Sequence, residues 1–557
     1  MKNKSIAIGQ ENFKTLIDDN CYYVDKTQFI KELITKQFNG AKLFLRPKRF
    51  GKTLSLSTLK YFFDIDEKEN AYLFNDLAIS KEVELCKQHQ NKYPVIFFTL
   101  KGVTGKTKEE FLNSFNAQLL SEYKRHRYIE DKLDKGMEIN VFNRLLDGEG
   151  DTHDFKIYLS LLMKGLYEYY KVKPIVLIDE YDVPLNSAHS AGCFEYVVDI
   201  IKEMFSNGLK TNDNLKMAII TGCLQIAKNQ IFTGFNNPGI YPVTSYQYAQ
   251  YFGFTKDETI ELLTYYGFAD KFKLVAENYD GYNIGNYEIF NPFDLINYLA
   301  EALNNPNTPC LSYWANSSGN VLLKEMLISS IKNKELKKAF EQLISGQEVI
   351  VTIDTTITYN TMLENNSAIM GTLLFSGYLT VIEALDSNIY KVVIPNKEIL
   401  KCFIALVDEV NSQKAEVALP TIIQPLLDKD IAGTSDYLNK LYSSILQARD
   451  KNSKENNYHY FLAAILALNP VEGWEYRSQD QGKQGYSDFV LVGNRIAIII
   501  EEKNISSYKE IDKATAEAFK QIKDTDYEAR YEKMKYTILK YAIVYCKHEA
   551  FISIQEN

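Results

Sequence analysis

Arginine is scarce in this chain: nine residues stand against 54 lysines in 557, and none occurs between Arg144 and Arg449. A chemistry that needs a guanidinium in that interval must borrow it from the first 144 residues, from a lysine, or from another chain. Cysteine is thin too. The seven, at 21, 86, 193, 223, 310, 402 and 546, are odd in number and form no CxxC pair. That excludes a disulfide framework and a thiolate zinc cluster, and fits reduced thiols in a cytoplasm. The six histidines are dispersed, without metal-ligand or triad spacing. No stretch approaches the ~20 apolar residues of a membrane span, and the start MKNKSIAIGQENFK has no signal-peptide core, so a cytoplasmic protein with no membrane partner is expected. The net charge of −9 leaves no global field to attract nucleic acid, so any such contact needs a local basic patch.

The remainder is ordinary globular material, 46% hydrophobic and 24% charged, and too long for one core; domain-size priors give roughly three or four units. Asn, Ile and Tyr are plentiful, a bias better ascribed to an AT-rich genome than to function. The first ~300 residues alternate apolar runs with helical patterns, the signature of a parallel sheet in an α/β domain. The runs AKLFL (41–45), YPVIFFTL (93–100), PIVLIDE (174–180) and MAIITG (217–222) lack polar alternation, as strands buried on both faces do. From about 255 the pattern turns mainly helical (TKDETIELLTYYG, NPFDLINYLAEAL, VLLKEMLISSI), with a hairpin signal at YLTVIEALDSNIYKVVI. The polar run LQARDKNSKENN (446–457) reads as a linker. After it comes helix (YHYFLAAILAL), three strands (WEYRS, SDFVLV, RIAIIIEEK), helix (IDKATAEAFKQIK) and strand (YTILKYAIVYC), an αβββαβ order. The expected division is 1–255, 256–447 and 448–557.

Two segments could cradle a phosphate. RPKRFGKT (46–53) and GVTGKT (102–107) each follow a strand and precede a helix, and each lacks the first glycine of GxxxxGK[ST], the position being Arg46 in one and Leu100 in the other. In such a loop, backbone N–H groups at the helix start hold phosphate, the lysine neutralises it and the hydroxyl reaches Mg²⁺. Spacing alone leaves both open. Ile175-Val-Leu-Ile-Asp179-Glu180 adds an apolar strand ending in two carboxylates, the way an ATPase supplies a Mg²⁺-ordering Asp and a water-polarising Glu. The alternative is a sheet edge where solvated acids begin. Thr221, at the end of MAIIT, would face the same crevice.

These residues, with YYVDKT (22–27), RPKRFGKT (46–53), LIDEYDVPL (177–185), TGCLQIAKNQIFTGFNN (221–237), YDGY (279–282) and NPF (291–293), resemble a bacterial family of AAA-ATPase-like proteins that carry a C-terminal PD-(D/E)XK nuclease domain. The resemblance implies a P-loop NTPase-like parallel-sheet domain at 1–255. It selects 46–53 over 102–107, with ATP and Mg²⁺ bound through Lys52, Thr53 and Asp179 and with Glu180 as the acid/base; Arg49, Gly51 and Thr221 are the further expected nucleotide contacts. Thr53 and Asp179 are the Mg²⁺ ligands on this reading. Gln225 stands where the family commonly has arginine, and Asn278 and Phe293 where it has tryptophan. With Arg46, Arg49, Arg125, Arg127 and Arg144 as the local arginines, slow turnover or a lysine substitute such as Lys228 is expected, and nucleotide switching is as credible as continuous hydrolysis.

Near the C-terminus, Gly493-Asn494 is a two-residue turn signal between SDFVLV and RIAIIIEEK, pairing Val492 with Arg495 and setting Asp488 opposite Ile499. Residues two apart share a face, so Glu501 and Lys503 fall on the face of Asp488, and Glu502 points away. Two carboxylates converging on a cation beside an ammonium suit metal-assisted phosphodiester cleavage: Asp488 and Glu501 as ligands, Lys503 orienting the nucleophile or steadying charge. The bland alternative is a buried ion pair at a sheet end. The pattern D-x₁₂-E-x-K resembles the nuclease domain of the same family, a restriction-endonuclease-like αβββαβ fold. That similarity suggests Glu475 as an accessory metal acid and Gln521 as a polar group near the site. The family approaches its first acid through Gly-Arg; here the approach is Gly485-Tyr486-Ser487, and Lys483 is the substitute. The expectation is an ATP-gated, Mg²⁺-dependent nuclease acting on nucleic acid, DNA ahead of RNA, with homo-oligomerisation open. Its rival is a nucleotide-dependent scaffold or regulatory ATPase whose nuclease-like domain only binds.

Overall fold

The computed structural model describes residues 4–210, 212–224, 238–314, 333–353, 365–412, 422–445, 473–478, 488–524, 528–546 and 549–555, together with isolated helical positions at 324, 326, 327, 462 and 466. They form two compact units, Met1–Asn316 with Ile350–Glu398, and Ser317–Val349 with Ile399–Asn557.

The first unit is built on five parallel strands, β1 (Gly40–Leu45), β2 (Val95–Thr99), β3 (Ile175–Asp179), β4 (Met217–Gly222) and β5 (Gly239–Tyr241), in the order β2-β3-β4-β1-β5. The four apolar runs read from the sequence supply β1 to β4. Every residue of β3 and β4 is buried, which is why their runs show no alternation. β5 has three residues, too few to carry a periodic signal. Inserting β4 between β1 and β3 puts Thr221 between the loop that leaves β1 and the acids that end β3. Helices Lys52–Phe63, Lys108–Arg125, Thr152–Tyr170 and Phe194–Leu209 accompany the sheet.

Downstream, β6 (Phe254–Thr255), β7 (Tyr282–Ile284) and β8 (Tyr287–Phe290) make a small sheet in the order β6-β8-β7. Helix Lys256–Tyr265 starts on a capping box in which Thr255 and Glu258 satisfy each other's backbone N–H. Helix Pro292–Asn304 starts on Asn291, whose side chain accepts from the Phe293 N–H, with proline at the first helical position where its missing donor costs nothing. The expected hairpin is present as β10 (Thr380–Ala384) and β11 (Ile389–Val393), joined in one sheet by β9 (Val349–Thr352). The expected helix at VLLKEMLISSI and the polar run 446–457 fall mostly or wholly outside the described residues.

In the second unit, β12 (Trp474–Ser478), β13 (Phe489–Gly493), β14 (Ile496–Ile505), β15 (Thr537–Cys546) and β16 (Glu549–Gln555) form one mixed sheet in that order. Only β14 and β15 run parallel, and helix Ile511–Asp524 makes the crossover that a parallel pair requires. Its Ala514, Ala518 and Ile522 are buried, and Ile522 packs with Val490, Ala497 and Ile499 on one sheet face. Phe489, Leu491, Ile498 and Ile500 point the other way into a second core. The strict alternation of β13 therefore assigns each residue to one of two buried layers. β16 was not expected. Of the helix read at YHYFLAAILAL, only Leu462 and Leu466 are described, both buried.

Candidate active sites

The phosphate-loop segment leaves β1 after Leu45 and enters helix Lys52–Phe63. Two left-handed residues, Arg49 (φ 70°) and Gly51 (φ 79°), turn the chain there, a conformation glycine adopts freely and arginine does not. Gly51 is the N-cap and brings no side chain to the first helical N–H groups, which leaves donors and the positive helix end for an anion. The rival segment 102–107 lacks this feature. Its Thr107 side chain accepts from Glu110 N, Glu110 Oε2 accepts from Lys106 N (2.8 Å), and Ser114 Oγ accepts from Thr104 N (3.0 Å). The N–H groups of Thr104 and Lys106 are thus taken by side chains of the helix that follows, Lys108–Arg125.

Lys52, 3% exposed, donates to the carbonyls of Arg46 (3.1 Å) and Pro47 (3.0 Å) and to Cys223 Sγ (3.3 Å), with the Glu180 carboxylate at 4.0 Å. Burial works against its charge, but Cys223, Glu180, Asp182 and Asp179 outweigh burial and hold the ammonium above the ordinary lysine range. Asp179, at the end of β3, accepts from Thr221 Oγ1 (2.5 Å) on one oxygen and Thr53 Oγ1 (2.7 Å) on the other. Burial and the neighbouring Glu180 raise its pKa, against the pull of the two hydroxyls and Lys52. Glu180 itself is left-handed (φ 56°), a strained conformation of the kind functional sites retain. The structure thus brings Gly51, Lys52, Thr53, Asp179, Glu180 and Thr221 together.

The arginines separate. Arg46, at the position of the missing glycine, is fully buried and donates to the carbonyls of Leu45 (2.8 Å) and Tyr241 (2.7 Å), over the Phe252 ring. Burial lowers it to about 9. Arg125 is tied to Asp64 and Glu122, and Arg144 to Asp154. Arg49 lies over Phe293 and donates to the Tyr313 carbonyl (2.9 Å). Gln225 and Lys228 lie outside the described residues.

At the C-terminal hairpin the turn is Asn494-Arg495, with φ 48° and 60°, and the pairing is Gly493↔Ile496 and Val492↔Ala497. The expected turn, Gly493-Asn494, is corrected by one residue. Gly493 stays in the strand because Trp474 lies against it: a Cβ there would come 2.5 Å from the indole. Moving an even loop by one residue shifts the pairing by two, so every side chain keeps its face. In the observed register Asp488, one step beyond the Phe489↔Ile500 pair, stands across from Glu501 and not from Ile499.

The Glu502 N–H donates to Asp488 Oδ2 (2.8 Å), and the Asp488 N–H donates to the Glu501 carboxylate. Lys503 Nζ donates to Glu501 Oε1 (3.1 Å) and Gln521 Oε1 (2.7 Å). Glu501 is 1% exposed, and its Oε2 has no hydrogen-bond partner among the described residues. Burial and then Asp488 push its pKa up to about 7, against Lys503. Asp488, Glu501, Lys503 and Gln521 therefore converge. Glu475 does not join them: it lies across from Val492, four residues along from Asp488, largely exposed and ion-paired with Arg477 at 2.7 Å. Lys483, Gly485, Tyr486 and Ser487 lie outside the described residues.

Two residues of the first site escaped the sequence reading. Cys223 follows β4 directly and touches Lys52; Asp182 receives the N–H groups of Cys223 and Leu224, both at 3.0 Å, fixing the chain beyond Thr221. The run Asp179-Glu180-Tyr181-Asp182 held the signal for the latter, since a third acid so close to a buried strand end needs a partner.

Residues 7–232 match the family described as "Predicted AAA-ATPase", and residues 453–555 match the PD-(D/E)XK nuclease superfamily. A protein of Azotobacter chroococcum mcd 1, described as "Uncharacterized protein in vnfD 5'region", is 23% identical over 546 residues, covering 95% of this chain and 94% of its own.

Proposed function

From a chain that joins an AAA-ATPase-like region to one of the PD-(D/E)XK nuclease superfamily, we propose an ATP-binding, ATPase-gated, Mg²⁺-dependent nuclease that cleaves phosphodiester bonds of nucleic acid, DNA in preference to RNA. The carrying observation is the meeting of Asp488, Glu501 and Lys503 on one face of β13–β14. The donor set fits a hard cation: Glu501 Oε2 is an orphaned acceptor at a site where two carboxylates face each other. Bound there, Mg²⁺ would polarise the scissile phosphate and acidify water.

Asp488 and Glu501 hold that position through the backbone bonds that lock them across the hairpin. Lys503, shared between Glu501 and Gln521, carries the positive charge that steadies the reacting phosphate. In the N-terminal region Lys52 neutralises the nucleotide phosphates, Thr53 and Asp179 are the hydroxyl and carboxylate for a second Mg²⁺, Thr221 orients Asp179, and Glu180 is the acid/base. The division of labour is 1–255 for nucleotide, 256–447 as intermediary and 448–557 for cleavage. The scarcity of arginine makes turnover slow, so nucleotide acts chiefly as a gate, and an arginine from a second copy is one route to faster hydrolysis. Among the described residues no helix is long and apolar enough to cross a membrane, and the reading places the chain in the cytoplasm.

The test is Mg²⁺-dependent cleavage of single- and double-stranded DNA and RNA, with and without ATP, by the full chain and by Asp488→Ala. Cleavage that needs Mg²⁺ and disappears in the variant supports the reading. No cleavage by the unaltered chain, or equal cleavage by the variant, sinks it in favour of a regulatory ATPase with a binding-only domain.

A further inference from the structure

The phosphate loop is clasped by residues far along the chain, all within the first unit. Phe50 stands edge-on to Tyr282 at 5.0 Å, and its carbonyl accepts from Gly253 N (3.0 Å). Pro47 abuts Gly377, where a Cβ would come 2.8 Å from the proline ring. Those contacts are apolar or backbone. The charged one is Arg49. Its guanidinium lies 3.8 Å from the centre of the Phe293 ring and donates to the Tyr313 carbonyl at 2.9 Å, facing two buried acids, Asp294 and Glu398. Asp294 is 2% exposed and so is Glu398. Burial and then the Glu398 carboxylate raise the Asp294 pKa, and burial raises that of Glu398. Glu398 Oε1 also accepts from Trp314 N at 2.6 Å. Glu398 is the last residue of the first unit and lies in the first turn of helix Lys397–Ser412, through which the chain continues into the second.

We propose that Arg49 is a latch: its socket of Phe293, the Tyr313 carbonyl and the Asp294–Glu398 pair competes with a nucleotide triphosphate for the guanidinium, so that loop occupancy is relayed to Trp314 and the first turn of helix Lys397–Ser412. This rests on the nucleotide-site reading and supplies its regulation. The physical reasons are three. Arg49 occupies a left-handed conformation that costs an L residue energy and that its side-chain contacts help to hold. A triphosphate is the stronger anion, because burial works against negative charge on both Asp294 and Glu398, and the Glu398 carboxylate disfavours the charging of Asp294. Lys52 spends its ammonium on the carbonyls of Arg46 and Pro47, so a phosphate that claims Lys52 also loosens the part of the loop leading to Arg49. Coupling of this kind is reciprocal: what the nucleotide does to the socket, the socket does to nucleotide affinity.

The chain has two tryptophans, so Trp474→Phe leaves Trp314 as the sole emitter in the full-length protein. Saturation with Mg²⁺ and a non-hydrolysable ATP analogue, with binding followed separately by calorimetry, is expected to shift the Trp314 emission to the red. Glu398→Gln on the same background is expected to bind the analogue at least about fivefold more tightly and to lose the shift. Asp294→Asn gives the same result by the other half of the pair, should the first variant fold poorly. Tighter binding is an outcome that mere damage to the fold does not produce. Binding without an emission change, or affinity that is unaltered or weaker in both variants, overturns the latch and leaves the nucleotide site standing. No binding by the unaltered chain removes the nucleotide site and the latch together.

Discussion

Asp488 and Glu501 face each other across β13–β14 and are locked by reciprocal backbone bonds, Asp488 N–H to the Glu501 carboxylate and Glu502 N–H to Asp488 Oδ2. A buried Glu501 beside a half-buried Asp488 is a repulsive pairing, and the fold tolerates that repulsion at one place where an activity can use it.

Glu501→Gln should therefore separate stability from activity. Its carboxyl is raised from 4.5 to about 7, so above that pH the ionised acid costs the fold on the order of 3 kcal/mol. In EDTA at pH 8 the variant should melt above the unaltered chain, while Mg²⁺-dependent cleavage falls at least about a hundredfold. Thermal melts beside a cleavage assay check both; a variant that melts lower than the parent would show that Glu501 is a structural ion pair with Lys503.

Gln521 should matter through Lys503. With Gln521→Ala the ammonium loses its 2.7 Å acceptor and settles on Glu501, competing with the cation. Cleavage at saturating Mg²⁺ should fall by about tenfold to a hundredfold, and the Mg²⁺ needed for half-maximal rate should rise. An unchanged rate would leave Gln521 as the solvent side of an amphipathic helix.

Cys223 should be inert despite touching the loop lysine. Burial pushes its thiol up to about 12, although Lys52 pulls the other way, and the thiolate is the reactive form. Alkylation of the native chain, mapped by mass spectrometry, should spare Cys223 and reach it only in denaturant. Rapid native labelling at 223 would mean that the Lys52–Cys223 contact does not persist in solution.

The Asp280–Glu288 pair should make the first unit lose stability with rising pH. Burial and the proton shared with Glu288 raise Asp280 to about 8 from an ordinary 3.8. A raised carboxyl lends stability that is complete below about 4 and is lost as pH climbs through about 8. Melting temperatures taken from pH 5 to pH 8 should decline less steeply for Asp280→Asn than for the parent. Parallel slopes would refute the shared proton.

Much of this architecture is visible in the residue order. Four runs without polar alternation became β1 to β4, most clearly β3 and β4, where every residue is buried and no polar side is displayed. Glu501, and not Glu502, shares the face of Asp488 because strand parity is fixed by chain geometry and survives the misplaced turn. Other features needed contacts between distant residues. The choice of turn came from Trp474 lying on Gly493. The contrast between 46–53 and 102–107 lies in Ser114 and Glu110, which accept from the Thr104 and Lys106 N–H groups of the second segment. Arg46, one of the few arginines near the loop, is instead buried and spends its guanidinium on the carbonyls of Leu45 and Tyr241.

The sequence by itself determined which residues lie on strands, which face each shares and where acids interrupt apolar runs, because those follow from local periodicity and the cost of burying charge. The tertiary structure alone decided which of those charges meet. It set Glu475 apart from Asp488, brought Cys223 to Lys52 and seated Arg49 before Asp294 and Glu398, because such meetings depend on how distant segments close-pack, and no local pattern encodes that.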